Sequence, residues 1–287
     1  MELLRVVLAS SRPISWVNTA FPFAAAYLFA GGGITWQLVV GTIFFLIPYN
    51  IAIYGINDVF DYESDMRNPR KGGLEGSVLH PKWHKPVLWA SVLTTVPFIV
   101  ALLVGGTWAS ALWLVVSMFT VVAYSAKGLR FKEKPVLDSV TSSAHFATPA
   151  LVGTAMVGPA VTTPFWVAIG AFFLWGMASH ALGAVQDIHA DRQGGLSSIA
   201  TELGARFTTR AVTVTYLVAA GLLFTLPSPG WVVAVAGLGY ALNAARFWNI
   251  DDAHAEDTRR AWKVFLVLNY VVGFIVTMAL LWAVAPA

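Results

Sequence analysis

Three aspartates, Asp58, Asp61 and Asp65, punctuate the segment from Tyr54 to Asp65 at spacings i, i+3 and i+7, which on a continuous helix brings them to one face. Asn57 stands four residues before Asp61, so its amide oxygen can join the same cluster. Farther along, Asp187 and Asp191 repeat the one-turn spacing between Gly183 and Asp191. Carboxylates gathered in this way repel unless a cation lies between them. Hard oxygen ligands with positions to spare suit Mg2+, which binds through few carboxylates and completes its shell with substrate phosphates. The chemistry that follows is a metal-bridged diphosphate. The plain alternative is pairing of helix-end carboxylates with nearby Lys and Arg, but negative charge at a helix C-terminus opposes the dipole.

A diphosphate also needs cations. Arg67, Arg70 and Lys71 follow the first acidic segment, and Lys127, Arg130, Lys132 and Lys134 form a second basic stretch. Guanidinium and ammonium groups can clamp phosphate oxygens and stabilise charge on a departing group, although each of these is equally at home in a solvated loop. Arg12, between Ser11 and Pro13, can reach the same side. Lys82, Lys85, Arg206, Arg210, Arg259 and Arg260 read as topology charges.

The elements that must hold these groups are set by what lies between them. Of the 287 residues, 57% are hydrophobic and 11% charged, against about 25% charged in soluble domains. A soluble enzyme is excluded, and the net charge of +3 belongs to membrane orientation rather than to nucleic acid. Without cysteine there is no disulfide, thiolate nucleophile or Cys-bound metal. Five blocks carry no Asp, Glu, Lys or Arg: 13–57, 86–126, 139–186, 211–245 and 264–287. At about 20 apolar residues per crossing, the first four each hold a helical hairpin and the last a single helix. Turns fall at Gly31-Gly32-Gly33, Gly105-Gly106, Val157-Gly158-Pro159 and Pro227-Ser228-Pro229-Gly230. The fourth block is short, so its helices run into the polar flanks or tilt little. The expectation is an all-α integral membrane protein of nine transmembrane helices, one domain over 1–287. All charges then face one side, the cytoplasm by the positive-inside rule, with the N-terminus inside and the C-terminus outside. Met1–Arg12 is too polar and short for a signal peptide, so the first helix is expected to stay.

The two acidic motifs look like copies. Asp61-x-x-x-Asp65 followed by Gly72-Gly73-Leu74 echoes Asp187-x-x-x-Asp191 followed by Gly194-Gly195-Leu196, four helices later in the same orientation. That pattern suggests a parallel duplication about an axis along the membrane normal.

Asn57-Asp58-x-x-Asp61-x-x-x-Asp65, Asp187-x-x-x-Asp191, Tyr124-Ser125 with Arg130, and nine spans together resemble the UbiA superfamily of intramembrane prenyltransferases, over essentially the whole chain. Ser11 to Ala20 and Tyr54 to Gly73 are similar to the actinobacterial lycopene elongases of the C50 carotenoid pathway. The resemblance implies a UbiA-like bundle with a cytoplasmic-side site and Mg2+-dependent transfer of dimethylallyl groups from dimethylallyl diphosphate to the ends of lycopene, beside other carotenoid-pathway enzymes. Carried over residue by residue, it nominates Asn57, Asp58, Asp61, Asp65, Asp187 and Asp191 for the metal and Arg70, Lys127 and Arg130 for the phosphates. Arg12 and Lys71 join them as cations for the diphosphate, and Asn18 as a possible pocket residue. Asp61, Asp187 and Tyr124 are nominated as catalytic. In the loop after the fourth helix, Ala126 and Phe131 replace a common proline and basic residue.

Ionisation of the allylic bond leaves a cation that must meet carbon before water, and aromatic faces can stabilise it. Tyr54, Phe60, Tyr62 and Tyr124 are the candidates near the motifs. Attack by a terminal double bond leaves a tertiary cation, to be quenched by proton loss or by water. The proton acceptor is open between the diphosphate and a group such as Glu63 or His189, while His145 and His180 lie within apolar blocks, where helix packing is as common as proton transfer. No Lys or Arg lies within any apolar block, which favours a hydrocarbon acceptor over a quinone precursor that needs its carboxylate held. A secondary transporter also carries repeats and intramembrane Asp, but near the bilayer midplane rather than at helix ends.

Overall fold

The computed structural model describes residues 2–66, 78–158 and 162–284, and the regular structure among them is helical, with no strand. Arg67, Arg70, Lys71, Gly72, Gly73 and Leu74, like Pro159, lie outside the described residues. The chain divides into two compact units, Met1–Phe131 with Ala144–Val161, and Lys132–Ser143 with Thr162–Ala287.

The first unit runs α1 (Glu2–Ser10), α2 (Val17–Phe29), α3 (Trp36–Leu46), α4 (Pro48–Phe60), α5 (Tyr62–Asp65), α6 (His84–Gly105) and α7 (Trp108–Ser125), and takes the greater part of α8 (Leu137–Val157). Thr35 caps α3 by accepting from the Leu38 N–H, and Thr107 and Ser110 form a reciprocal capping box on α7, so the glycine turns end in ordered helix starts. The segment expected to be one helix between Gly33 and Asp58 is broken at Ile47, because Pro48 has no N–H to continue the ladder. Asn50, fully buried, repairs the break: its amide donates to Phe45 O at 2.9 Å and Leu46 O at 3.0 Å. In hydrocarbon no water could do this.

Phe23, Phe44, Phe45 and Tyr49 form the centre of this unit, all without exposed surface, with ring centroids 4.8 to 5.8 Å apart. Two glycines let α2 approach its neighbours. A side chain at Gly41 would occupy the Phe23 ring, and a Cβ at Gly153 of α8 would lie 2.5 Å from the Phe23 carbonyl oxygen. Small residues at crossings are how membrane helices pack closely.

The second unit contains α9 (Thr163–Val185), α10 (Ile188–Gly194), α11 (Ile199–Phe224), α12 (Gly230–Ala245) and α13 (Arg259–Val284), the last preceded by a polar 3-10 segment, Asp252–Thr258. α11 starts well before the charge-free block, as its shortness requires. Its core is aromatic: Tyr216 stacks on Tyr240, and Trp175 and Trp262 stack on Phe265. α11 is bent at Gly204, whose φ of 77° only glycine adopts without strain.

Six runs among the described residues are long and apolar enough to cross a membrane: Trp36–Phe60, Pro81–Gly105, Trp108–Ser125, Thr163–Val185, Ile199–Phe224 and Asp252–Ala283. Large apolar side chains such as Val104 and Trp108, each 81% exposed, point outward along them, which suits lipid and not water.

Replacing Gly153 by valine puts side chain against the main chain of α2. The expected outcome is a loss of about 1–3 kcal/mol, read as a lower melting temperature in detergent. An unchanged transition would contradict the close crossing.

Candidate functional site

The first acidic motif does not lie on one continuous helix. α4 ends at Phe60, and Asp61 adopts φ −102°, ψ 0°, the sparsely populated bridge region, before α5 begins. Asp187 stands in the same position of the second unit, between α9 and α10, at φ −99°, ψ −3°. In both motifs the N–H of the second aspartate donates to the carbonyl of the first at 2.8 Å, joining Asp65 to Asp61 and Asp191 to Asp187. The likeness seen in sequence is thus a likeness of backbone: a long helix, a break at the first aspartate, and a short turn that carries the second.

Asp58 lies on α4, before the break, and its side chain turns to other partners. Asp58 has no exposed surface; its Oδ2 accepts from Ser10 Oγ at 2.8 Å and its Oδ1 from Arg12 Nη2 at 3.2 Å. This expected metal ligand thus has both oxygens bonded to α1 and the turn after it. Arg12 is taken up by the same contact. Its guanidinium lies 4.4 Å from the Tyr54 ring centroid, and its backbone is left-handed, φ 51°. One face of Tyr54 is therefore already given to a cation.

Asp61 and Asp65 are buried, and Asn57 Nδ2 donates to Asp61 Oδ2 and to Ser125 Oγ, the latter at 3.2 Å. Arg130, also with left-handed backbone (φ 41°), donates from Nη1 to Phe60 O at 3.3 Å. It thereby satisfies a terminal carbonyl of α4 and sets its charge beside the motif. Lys127 is exposed, and so is Asn18, which falls beside the face of α2 that buries Thr19, Ala20 and Phe23. Tyr124 meets His145 edge to face at 5.3 Å, and Tyr62 meets His84 at 5.2 Å.

In the second unit Asp187 and Asp191 are half-buried. Three supports were not anticipated. Arg192, next to Asp191, pairs with Asp252 Oδ2 at 2.7 Å and donates to Thr201 O at 2.7 Å. Asp252 Oδ1 accepts from the Ala205 N–H at 2.7 Å, just past the Gly204 bend, so one carboxylate holds both the short helix and the bend. Gln186, adjacent to Asp187, is buried, and its Oε1 meets no hydrogen-bond donor among the described residues. A basic residue directly after the motif and a glycine inside α11 were the available sequence signals.

Among the described residues no three His, Asp or Glu side chains form a metal-binding group. Each motif offers two carboxylates, with Asn57 or Gln186 beside them. That donor set fits Mg2+, which leaves most of its shell to phosphate and water, and does not fit a fully protein-bound metal.

The family model described as the UbiA prenyltransferase family matches residues 19–270. A Corynebacterium glutamicum protein named lycopene elongase/hydratase is 58% identical over 281 residues, 98% of each chain. A Haloarcula japonica protein of the same name is 31% identical over 98% of this chain and 92% of its own. A solved structure of a UbiA homolog from Archaeoglobus fulgidus, bound to DMAPP and Mg2+, superposes with a TM-score of 0.68 at 16% identity, covering 93% of this chain and 98% of that one.

Asp58 and Asp61 should respond differently to the same change. Asp58→Asn leaves Arg12 without its buried counter-charge and is expected to cost about 3 kcal/mol of stability, seen as a lower melting temperature. Asp61→Asn, which removes no contact to Arg12, should lower the melting temperature less. Equal melting of the two variants would contradict the anchoring role of Asp58.

Proposed function

The chain belongs to the UbiA prenyltransferase family, and from that membership we propose that it transfers dimethylallyl groups from dimethylallyl diphosphate to the ends of lycopene, with water added to the product. Support for the acceptor and the added water comes from the 58% identical relative named lycopene elongase/hydratase. The observation that carries the site is the repeated backbone break, which ends an apolar helix at Asp61 and again at Asp187. Both units are proposed to act as one prenyltransferase domain.

Asn57, Asp61 and Asp65, and Asp187 and Asp191, are proposed to hold Mg2+ on one diphosphate, with Gln186 beside them. Bound there, Mg2+ neutralises the diphosphate and favours its departure. Arg130 and Lys127 supply positive charge for the phosphate oxygens, and Arg70 and Lys71 are proposed for the same duty. Arg12 shapes this end of the first unit through Asp58. The C–O bond of the allylic diphosphate breaks, and the terminal double bond of lycopene forms the new C–C bond, leaving a tertiary cation. Apolar walls keep bulk water from the first cation, and Tyr124 offers a ring for it.

Nine crossings are proposed: α2, the broken pair α3–α4, α6, α7, α8, α9, α11, α12 and α13. The absence of charge from the five apolar blocks supports a site on the cytoplasmic side of the cell membrane, an N-terminus inside and a C-terminus outside.

Membranes containing the protein, given lycopene, dimethylallyl diphosphate and Mg2+, should yield carotenoids heavier by one or two five-carbon units with added water, resolved by mass spectrometry. EDTA should stop the reaction. Unchanged lycopene with folded protein would contradict the acceptor, and full activity in EDTA would contradict the metal.

A further inference from the structure

Arg192 directly follows Asp191 in α10, a helix of seven residues. A helix so short has no stability of its own and lies where its neighbours hold it. Ile188, at its first position, is fully buried in an apolar cluster with Ala200, Ala205 and Ala255. One point of attachment leaves the turn that carries Asp191 free to rock. The second point is the Arg192 guanidinium. Nη1 pairs with Asp252 Oδ2 at 2.7 Å, and Nη2 donates to Thr201 O at 2.7 Å.

These contacts are tied to the bend in α11. In an unbroken helix the Ala205 N–H donates to the carbonyl four residues back, which is that of Thr201. Gly204, at φ 77° and ψ 164°, turns the chain out of that register. Arg192 takes the Thr201 carbonyl, and Asp252 Oδ1 takes the Ala205 N–H at 2.7 Å. The ion pair thus fills the gap of one helical hydrogen bond and fastens α10, α11 and the 3-10 segment at a single point. Gly204 is required on two counts: its φ is costly for any other residue, and a Cβ there would lie 3.1 Å from Asp252 Oδ1. Stability does not call for this arrangement. A continuous α11 would satisfy the same two backbone groups by itself, and an ion pair whose side chains are 43% and 38% exposed adds little where water reaches it. In the first motif the position after the second aspartate is Met66, which has no charge to pair.

We propose that Arg192 and Asp252 are positioning residues for Asp191, holding it one turn from Asp187 so that the second motif is set for Mg2+ before the diphosphate arrives. This inference rests on the magnesium-bound diphosphate proposed above. Groups that orient a metal ligand from behind govern how much metal is needed, because a ligand that must first be ordered binds more weakly. The pair acts only through Asp191, and neither side chain takes part in breaking the allylic C–O bond.

The test is the Mg2+ concentration at which binding of dimethylallyl diphosphate is half-maximal, measured by calorimetry on the detergent-solubilised protein. Asp252→Asn and Arg192→Met are each expected to raise it by about tenfold or more. The melting temperature should stay near that of the unaltered protein, and the affinity for the diphosphate at saturating Mg2+ should change little. Arg192→Lys keeps the ion pair and gives up the Thr201 bond, so its requirement should fall between. The doubly altered protein should need no more Mg2+ than the worse single variant, because the two side chains act as one unit. An unchanged Mg2+ requirement in folded Asp252→Asn protein would overturn the proposal. So would weaker binding at every Mg2+ concentration in Arg192→Met with none in Asp252→Asn, since Arg192 would then be a phosphate ligand. Should Arg192→Met not accumulate, Asp252→Asn decides it; should Asp252→Asn not accumulate, Arg192→Lys does. Binding by the unaltered protein that is indifferent to Mg2+ would instead contradict the metal site itself, and the positioning role with it.

Discussion

Hydrocarbon cannot solvate a charge or an unpaired backbone group, so a carboxylate or a helix break within an apolar span has to be provided for by the protein itself. The consequences differ from site to site. Asp58 is neutralised by Arg12 and Ser10, Asp138 is held by the N-termini of two helices, and the carbonyls at the Ile47–Pro48 break are answered by Asn50. Asp61 and Asp187 are treated in another way: the long helix stops at each of them. Stopping a helix at an aspartate carries that aspartate to the end of an apolar span, where a cation from water can reach it.

The same distinction separates anchoring carboxylates from chemical ones. Asp58 and Asp252 accept hydrogen bonds on both oxygens from partners distant in sequence, Asp138 accepts from distant Ile199 on Oδ2 and from adjacent Ser139 on Oδ1, and each ties two or more elements together. The pairs Asp61/Asp65 and Asp187/Asp191 are tied through their backbones, carbonyl to N–H, which fixes the spacing of two side chains one turn apart. Two carboxylates at fixed spacing suit a cation that takes its remaining ligands from a phosphate.

The hairpins were legible because exclusion of charge from lipid leaves a one-dimensional trace, and the glycine and proline turns fall between α2 and α3, α6 and α7, and α11 and α12 as the charge-free blocks require. The repeat of the two acidic motifs was legible for the same reason, as a spacing within one turn. The role of Asp58 was not. Nothing local announces that Arg12, 46 residues away, will pair with it. The Asn50 repair, the Arg192–Asp252 pair and the Asp138–Ile199 bond were hidden likewise, since each joins residues by tertiary proximity, which periodicity does not encode.

The central claim is that both acidic motifs serve one magnesium-bound diphosphate. Its most direct test is the affinity of the detergent-solubilised protein for dimethylallyl diphosphate with and without Mg2+, measured by calorimetry for the unaltered chain, Asp61→Asn and Asp187→Asn. The expected result is Mg2+-dependent binding that weakens by roughly tenfold or more in each variant, with the fold retained. Binding of unaltered strength in either variant, or binding indifferent to Mg2+, would contradict the claim.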